Sequence, residues 1–353
     1  MIERFGKESA GYRQIRGNFL ELAYNDAGVR ERRRLDDIYA SQSRRRFCKT
    51  CDDSLQGSAF SVKGIDYVAC RRCGHLNGAF EDTRVYTREI YLEADQGAQD
   101  YTDVDRNAFT ERVQSIYQPK VEFLIEGLER CGEIPRRLRY ADVGAGSGHF
   151  VAALISCGLD RVVGYEVSPT QVKTANGQLG HDIVRCISLD AVADLARTLE
   201  AEVATSIFSL EHLEEPRAFL SALAANERVR YLYLAVPLFS PATVLECAFP
   251  DLMPRQLGMG HTHLYTESSL NWLFREFGYR PLAAWWFGAD VFDLHRSVVV
   301  GLRRAGGMED LVRIWSEMIV PAMDEVQLAF DRRKLSSEVH YVLAVDGPGG
   351  VRT

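Results

Sequence analysis

Residues 138–166, LRYADVGAGSGHFVAALISCGLDRVVGYE, constrain the fold more than any other stretch of this chain. Two apolar runs, 138–143 and 161–166, flank a turn carrying Gly144, Gly146 and Gly148 and then a helix-length segment. The pattern predicts strand, tight turn, helix and strand, one half of a nucleotide-binding α/β unit. The glycines let the backbone approach a ligand where a Cβ would clash, and the helix N-terminus offers unpaired N–H groups. Glu166 ends the second run, where a carboxylate can accept hydrogen bonds from both hydroxyls of a ribose. A dinucleotide fingerprint, GxGxxG, needs a glycine at 149, and His149 stands there instead.

Downstream, strands are predicted at 138–143, 161–166, 182–187, 202–209, 230–237, 280–288 and 296–303, the last two joined as a hairpin. Helices are predicted at 148–157, 169–179, 190–198, 215–226 and 267–277. This alternation implies an α/β fold with a seven-stranded, doubly wound sheet. Residues 1–46 read as a polar helical segment, 47–90 as a cysteine module, and 91–135 as a linker and lid helix. The sheet domain is placed at 136–305 and a small helix and strand extension at 306–353, with one amphipathic helix over 308–334 and a strand over 338–345. Tyr91, Tyr101 and Tyr117 are candidate lid residues.

Cys48, Cys51, Cys70 and Cys73 form a C-x2-C-x18-C-x2-C pattern, the spacing of a structural zinc site. Four thiolates would close the coordination sphere and leave no position for water. Gly74 suits a knuckle needing a left-handed residue. His75 is a competing ligand, and a redox CxxC role would need a thioredoxin-like context that is absent from the pattern. Cys131, Cys157, Cys186 and Cys247 read as core residues.

Three further segments accompany the glycine turn. Ser188, Leu189 and Asp190 follow the third predicted strand. Phe208-Ser209-Leu210-Glu211-His212-Leu213-Glu214-Glu215-Pro216 follows the fourth, and His261-Thr-His263-Leu-Tyr265-Thr-Glu267 follows the fifth. With the acidic-x-GxGxG turn at Asp142–Gly148, these resemble the class I S-adenosylmethionine (SAM) methyltransferases over roughly residues 110–303, in particular the ubiquinone-type small-molecule group. The resemblance implies a Rossmann-like methyltransferase sheet with an antiparallel seventh strand. It also implies a SAM site made by Asp142, Gly144, Ala145, Gly146, Gly148, His149, Glu166, Ser188, Leu189, Asp190, Ser209 and Leu210. Glu166 would hold the ribose, Asp190 the adenine amine, and Ser209 and Leu210 the methionine end. His212 is the first candidate for a general base, with His261 and His263 as alternatives.

The net charge of −7 argues against a nucleic-acid partner, since phosphate neutralisation needs a clustered positive surface. Arg30, Arg32, Arg33, Arg34 and Arg44, Arg45, Arg46 are the one exception, and keep an RNA methyltransferase in view. No apolar run reaches the length of a membrane span, and no signal-peptide core is present, so a cytoplasmic location is expected. The expected partner is a small-molecule acceptor such as a sugar, nucleotide-sugar or natural-product precursor, methylated at O, C or N. A non-catalytic SAM-binding module is the alternative from another class. The oligomeric state is left open, a homodimer included.

Overall fold

A computed structural model describes residues 1–57, 59–90, 105–258 and 260–347; Tyr91 and Tyr101 lie outside the described residues. In chain order its strands are β1 (Ile2–Phe5), β2 (Phe60–Val62), β3 (Ile65–Ala69), β4 (Leu76–Gly78), β5 (Tyr140–Val143) and β6 (Val162–Glu166). They continue with β7 (Val184–Cys186), β8 (Val203–Ile207), β9 (Tyr231–Pro237), β10 (His263–Leu264), β11 (Tyr279–Phe287) and β12 (Glu338–Val345). Eight of these form one sheet in the order β1-β11-β12-β9-β8-β5-β6-β7. All neighbours run parallel except β12, which is antiparallel to both β11 and β9. This is an α/β, Rossmann-like sheet with one antiparallel strand, as the resemblance implies, extended at one edge by β1.

Parallel strands covered on both faces read as unbroken apolar runs rather than alternations. β9, YLYLAVP, is buried at every position, and so is β5. Two clusters of buried side chains result, one on each face: one around Phe219, Leu232, Leu234 and Trp286, the other around Phe123, Phe150, Tyr233 and Val342. Truncating a fully buried leucine such as Leu234 to alanine should cost about 2–5 kcal/mol.

Three expectations are corrected here. Residues 296–303, RSVVVGLR, were expected to be a strand because of their consecutive valines, but they lie in the helix Asp290–Ala305. Asp290 and Asp293 in its first turn and Arg303 and Arg304 in its last complement the helix dipole, and outweigh the β preference of the valines. The antiparallel strand is instead 338–345, which pairs in the middle of the sheet rather than in a C-terminal extension. The single helix expected over 308–334 is two, Glu309–Ile319 and Met323–Asp331, parted at Pro321, which has no N–H to continue the ladder. Finally, the segment 1–46 opens with a strand, β1, before its helices begin.

The second sheet, β10-β4-β3-β2, joins the cysteine module to the main domain. β3 and β4 carry the module, while β10 comes from the connection after β9 and pairs antiparallel with β4. The module is therefore stitched to one loop of the larger domain.

Candidate active site

Gly144, Gly146 and Gly148 all have positive φ, at 82°, 53° and 82°. A Cβ added to Gly144 would sit 2.7 Å from the Cβ of Ser209, so the turn closes directly against the loop after β8. Gly148 caps the helix His149–Ser156 and faces Ala175. The turn is held from below by Glu166. Its Oε2 accepts from the Gly146 N–H at 2.9 Å, and its Oε1 accepts from the N–H groups of Val167 at 2.8 Å and Ser168 at 2.9 Å. Asp142 accepts from the Thr205 hydroxyl at 2.6 Å, and burial raises its carboxyl to about 7.

These groups open onto a cavity of about 650 Å³. Asp142, Gly144, Ala145, Gly146, His149 and Glu166 form one wall of it, and Leu189 and Ser209 adjoin them. The His149 ring lies between Phe109 and Tyr117, with centroids at 4.5 and 5.4 Å. Phe208, the residue before Ser209, has φ of 50°, a left-handed conformation costing a non-glycine residue about 1–3 kcal/mol. That strain falls at the tip of β8, where the chain turns Ser209 toward the glycines.

Four residues expected at the cofactor do not line the cavity. Gly148 shapes the turn without lining the cavity. The Ser188 hydroxyl accepts from the Asp190 N–H, and the Asp190 carboxylate faces outward in an ion pair with Arg84. Leu210 is fully buried in the apolar core beneath the site.

His212 and His261 both line the cavity, with ring centroids 4.9 Å apart. Glu211 is buried behind them, its Oε1 3.9 Å from His212 Nε2, and burial raises its carboxyl to about 8. Burial, reinforced by His261, holds His212 well below 6.5, and burial lowers His261 to about 4. The environment thus pushes His212 down, although Glu211 adjoins it. Ligand atoms of Glu211, His212 and His261 lie within 4.8 Å of one another, close enough to hold a cation. His263 is separate. It is 1% exposed, does not line the cavity, and its Nδ1 meets His75 Nε2 at 2.9 Å.

Residues 109–284 match the family model described as a methyltransferase domain. This part of the chain is a methyltransferase domain. No curated protein sequence matches the chain at a significant level. Among solved structures, it is similar to magnesium protoporphyrin IX methyltransferase from Synechocystis PCC 6803, with 18% identity over 54% of this chain and 87% of that one, at a TM-score of 0.39. A putative sarcosine dimethylglycine methyltransferase from Galdieria sulphuraria is 14% identical over 64% and 84%, with a TM-score of 0.39. The YcgJ protein from Bacillus subtilis is 15% identical over 63% and 96%, with a TM-score of 0.34.

The methyltransferase domain meets the cysteine module beside this site. Cys48, Cys51, Cys70 and Cys73 are all buried, with Sγ atoms 3.6 Å apart for Cys48 and Cys73 and 3.5 Å for Cys51 and Cys70. Four sulfurs about 2.3 Å from a tetrahedral zinc would lie about 3.8 Å apart, so the set fits that ion. Asp52 and Gly74, both left-handed, turn the chain after each pair, and the Gly74 N–H bonds to the Cys70 carbonyl at 2.8 Å. His75 points away from the sulfurs toward His263 and Ser269, leaving the four cysteines as the ligand set.

Sequence reading missed Lys7 and Lys120 on the cavity wall. Lys7 belongs to no motif. Lys120 carried a signal, because it falls on the apolar stripe of Val113, Ile116, Tyr117, Val121 and Leu124.

Proposed function

We propose that the chain transfers a methyl group from SAM to a small polar metabolite, a sugar, nucleotide-sugar or natural-product precursor, held in the 650 Å³ cavity. The observation that carries this reading is the continuity of that cavity, from the glycine turn and Glu166 at one end to His212 and His261 at the other. The cofactor fits the wall. A ribose needs a fixed carboxylate, and Glu166 is held in place by three backbone N–H groups while Oε2 keeps a second acceptor position. The sulfonium supplies an activated methyl group when bound, and the protein must align an acceptor and take its proton.

His212 is the proposed base. Burial keeps it neutral at neutral pH, so it is ready to accept a proton. The imidazolium formed would lie beside Glu211, whose carboxyl burial raises to about 8. His261 stacks near His212 and is the alternative acceptor, while the buried His263 serves the seam with the cysteine module. The four cysteines are proposed to hold a structural zinc, which stiffens the module that pairs with β10.

A small acceptor is favoured over RNA by the cavity's roof and by the arginines. Tyr12, Arg16, Phe19 and Tyr24 from the N-terminal segment cover the cavity. Arg32 is buried against Asp36 and the Leu257 carbonyl, Arg34 pairs with Glu31 and Glu89, and Arg45 pairs with Glu81 and Asp82. Three of the seven clustered arginines are thus engaged within the protein, while Arg30, Arg33, Arg44 and Arg46 stay exposed. The test is incubation with labelled SAM and a panel of hydroxylated and amino metabolites: methyl incorporation lost in the His212→Asn variant supports the reading, and SAM binding without transfer to any acceptor favours a non-catalytic module.

A further inference from the structure

The cavity bordered by the glycine turn also carries two lysines that the proposed methyl transfer does not itself require. Lys120, on the helix Gln118–Glu129, is 3% exposed. Its ammonium makes no hydrogen bond or ion pair among the described residues. It lies instead near three aromatic rings, 4.7 Å from the Phe208 centroid, 5.4 Å from Tyr117 and 5.9 Å from Phe287. Lys7, just beyond β1, approaches the same Phe287 ring at 5.3 Å and donates to the Ile116 carbonyl at 3.3 Å. No carboxylate among the described residues reaches ion-pair distance of either lysine. Glu338 lines the same cavity and acts on both only from farther away.

A buried lysine is ordinarily paired, because removing an ammonium from water is expensive. Buried Lys120 and half-buried Lys7 facing one cavity, with Glu338 acting on them only from beyond ion-pair distance, leave a deficit of negative charge at a defined place. Burial and the neighbouring Lys120 lower Lys7 to about 7, and burial likewise lowers Lys120. An anion bound between them would reverse that cost.

We propose that the acceptor carries a phosphate or carboxylate group and that this anion docks between Lys7 and Lys120. The assignment rests on the reading of this cavity as the acceptor site. The Phe208 and Phe287 rings then offer apolar surface to the body of the acceptor, and His212 and His261 line the same cavity. The lysines act as specificity determinants, and the acceptor class narrows to phosphorylated or carboxylated metabolites, sugar phosphates and nucleotide-sugars included.

The test uses the full chain saturated with S-adenosylhomocysteine and calorimetric titration with inorganic phosphate and, separately, acetate at constant ionic strength. Wild-type protein is expected to bind one of these anions. Lys120→Met and Lys7→Met should each weaken that binding about tenfold or more, while S-adenosylhomocysteine affinity stays unchanged. Preference for phosphate assigns the phosphate class, and preference for acetate the carboxylate class. Absence of anion binding, or equal binding by the Lys7→Met and Lys120→Met proteins, overturns the proposal. So does a tenfold loss of S-adenosylhomocysteine affinity in either variant, because the lysines would then serve the cofactor carboxylate. Lys120→Gln, a polar replacement, repeats the measurement if the methionine variant unfolds. Failure of wild-type protein to bind S-adenosylhomocysteine would instead count against the methyltransfer reading, whereas anion titration of the cofactor-free chain still reports on the lysine pair.

Discussion

His75 and His263 share a hydrogen bond of 2.9 Å across the seam between the cysteine module and the methyltransferase domain. The bond lies beside the β4–β10 pairing, and the Gly78 N–H to Thr262 carbonyl bond at 2.8 Å adds to it. The module thereby fixes the segment that carries His261 into the cavity. Its role in the account is positional: the cysteines set the knuckles, the knuckles set β4, and β4 sets the loop after β9.

Loss of the metal should consequently be felt in both stability and turnover. Cys70→Ser is expected to release the zinc, lower the melting temperature and reduce methyl transfer, with S-adenosylhomocysteine affinity much less affected. Elemental analysis of wild-type protein should find one zinc per chain. A second tightly bound metal, lost in His212→Asn, would mean that Glu211, His212 and His261 hold a cation instead of moving a proton.

Gly144→Ala tests the close approach of the glycine turn to Ser209. The added methyl would collide with Ser209 Oγ in a backbone conformation that strains any side chain. Cofactor affinity should fall at least about tenfold, by calorimetry, with the global fold retained in circular dichroism. Ser209→Gly should recover part of the loss by removing the obstacle.

His212→Asn should leave cofactor affinity nearly intact and slow transfer roughly 10²–10⁴-fold, the usual contribution of a general base. Because burial holds His212 well below 6.5, the wild-type rate should be flat through neutral pH and fall only on the acid side. An inflection above 6.5 would assign the proton to another group.

Buried neutral histidines also predict acid sensitivity of the fold. His75, His263 and His340 are at most 1% exposed and lie well below 6.5. Below about pH 6.5 the unfolded chain takes up protons that the folded chain does not, so stability falls with pH. Each such histidine contributes up to about 1.4 kcal/mol per pH unit to the slope. Denaturant midpoints that are constant from pH 7 to 5 would contradict this.

The parallel half of the sheet was legible because β5, β6, β8 and β9 are continuous apolar runs between punctuating turns, and the C-x2-C spacing announced the knuckles directly. The place of the antiparallel strand was not. Residues 296–303 and 338–345 are both β-branched and apolar, and only tertiary pairing tells that the second fills the slot between β9 and β11. At the site, Glu166 and the glycines could be read locally, since backbone geometry is set within a few residues. Asp190 could not, because its partner Arg84 is distant in sequence, and His263 could not, because its seam with His75 exists only after the module docks. Lys120 was visible as a cation on an apolar stripe, a conflict between residue and environment of the kind that marks functional positions.

The most direct test of the central claim is equilibrium titration of S-adenosylhomocysteine into wild-type protein and Glu166→Ala. Glu166 braces Gly146 and is the proposed ribose acceptor, so its removal deletes charge-assisted bonds worth roughly 1.5–3 kcal/mol each. Saturable binding to the wild type with one site per chain is expected, weakened about 10- to 100-fold or more in the variant. No binding to the wild type, or equal affinity in the two proteins, would contradict it.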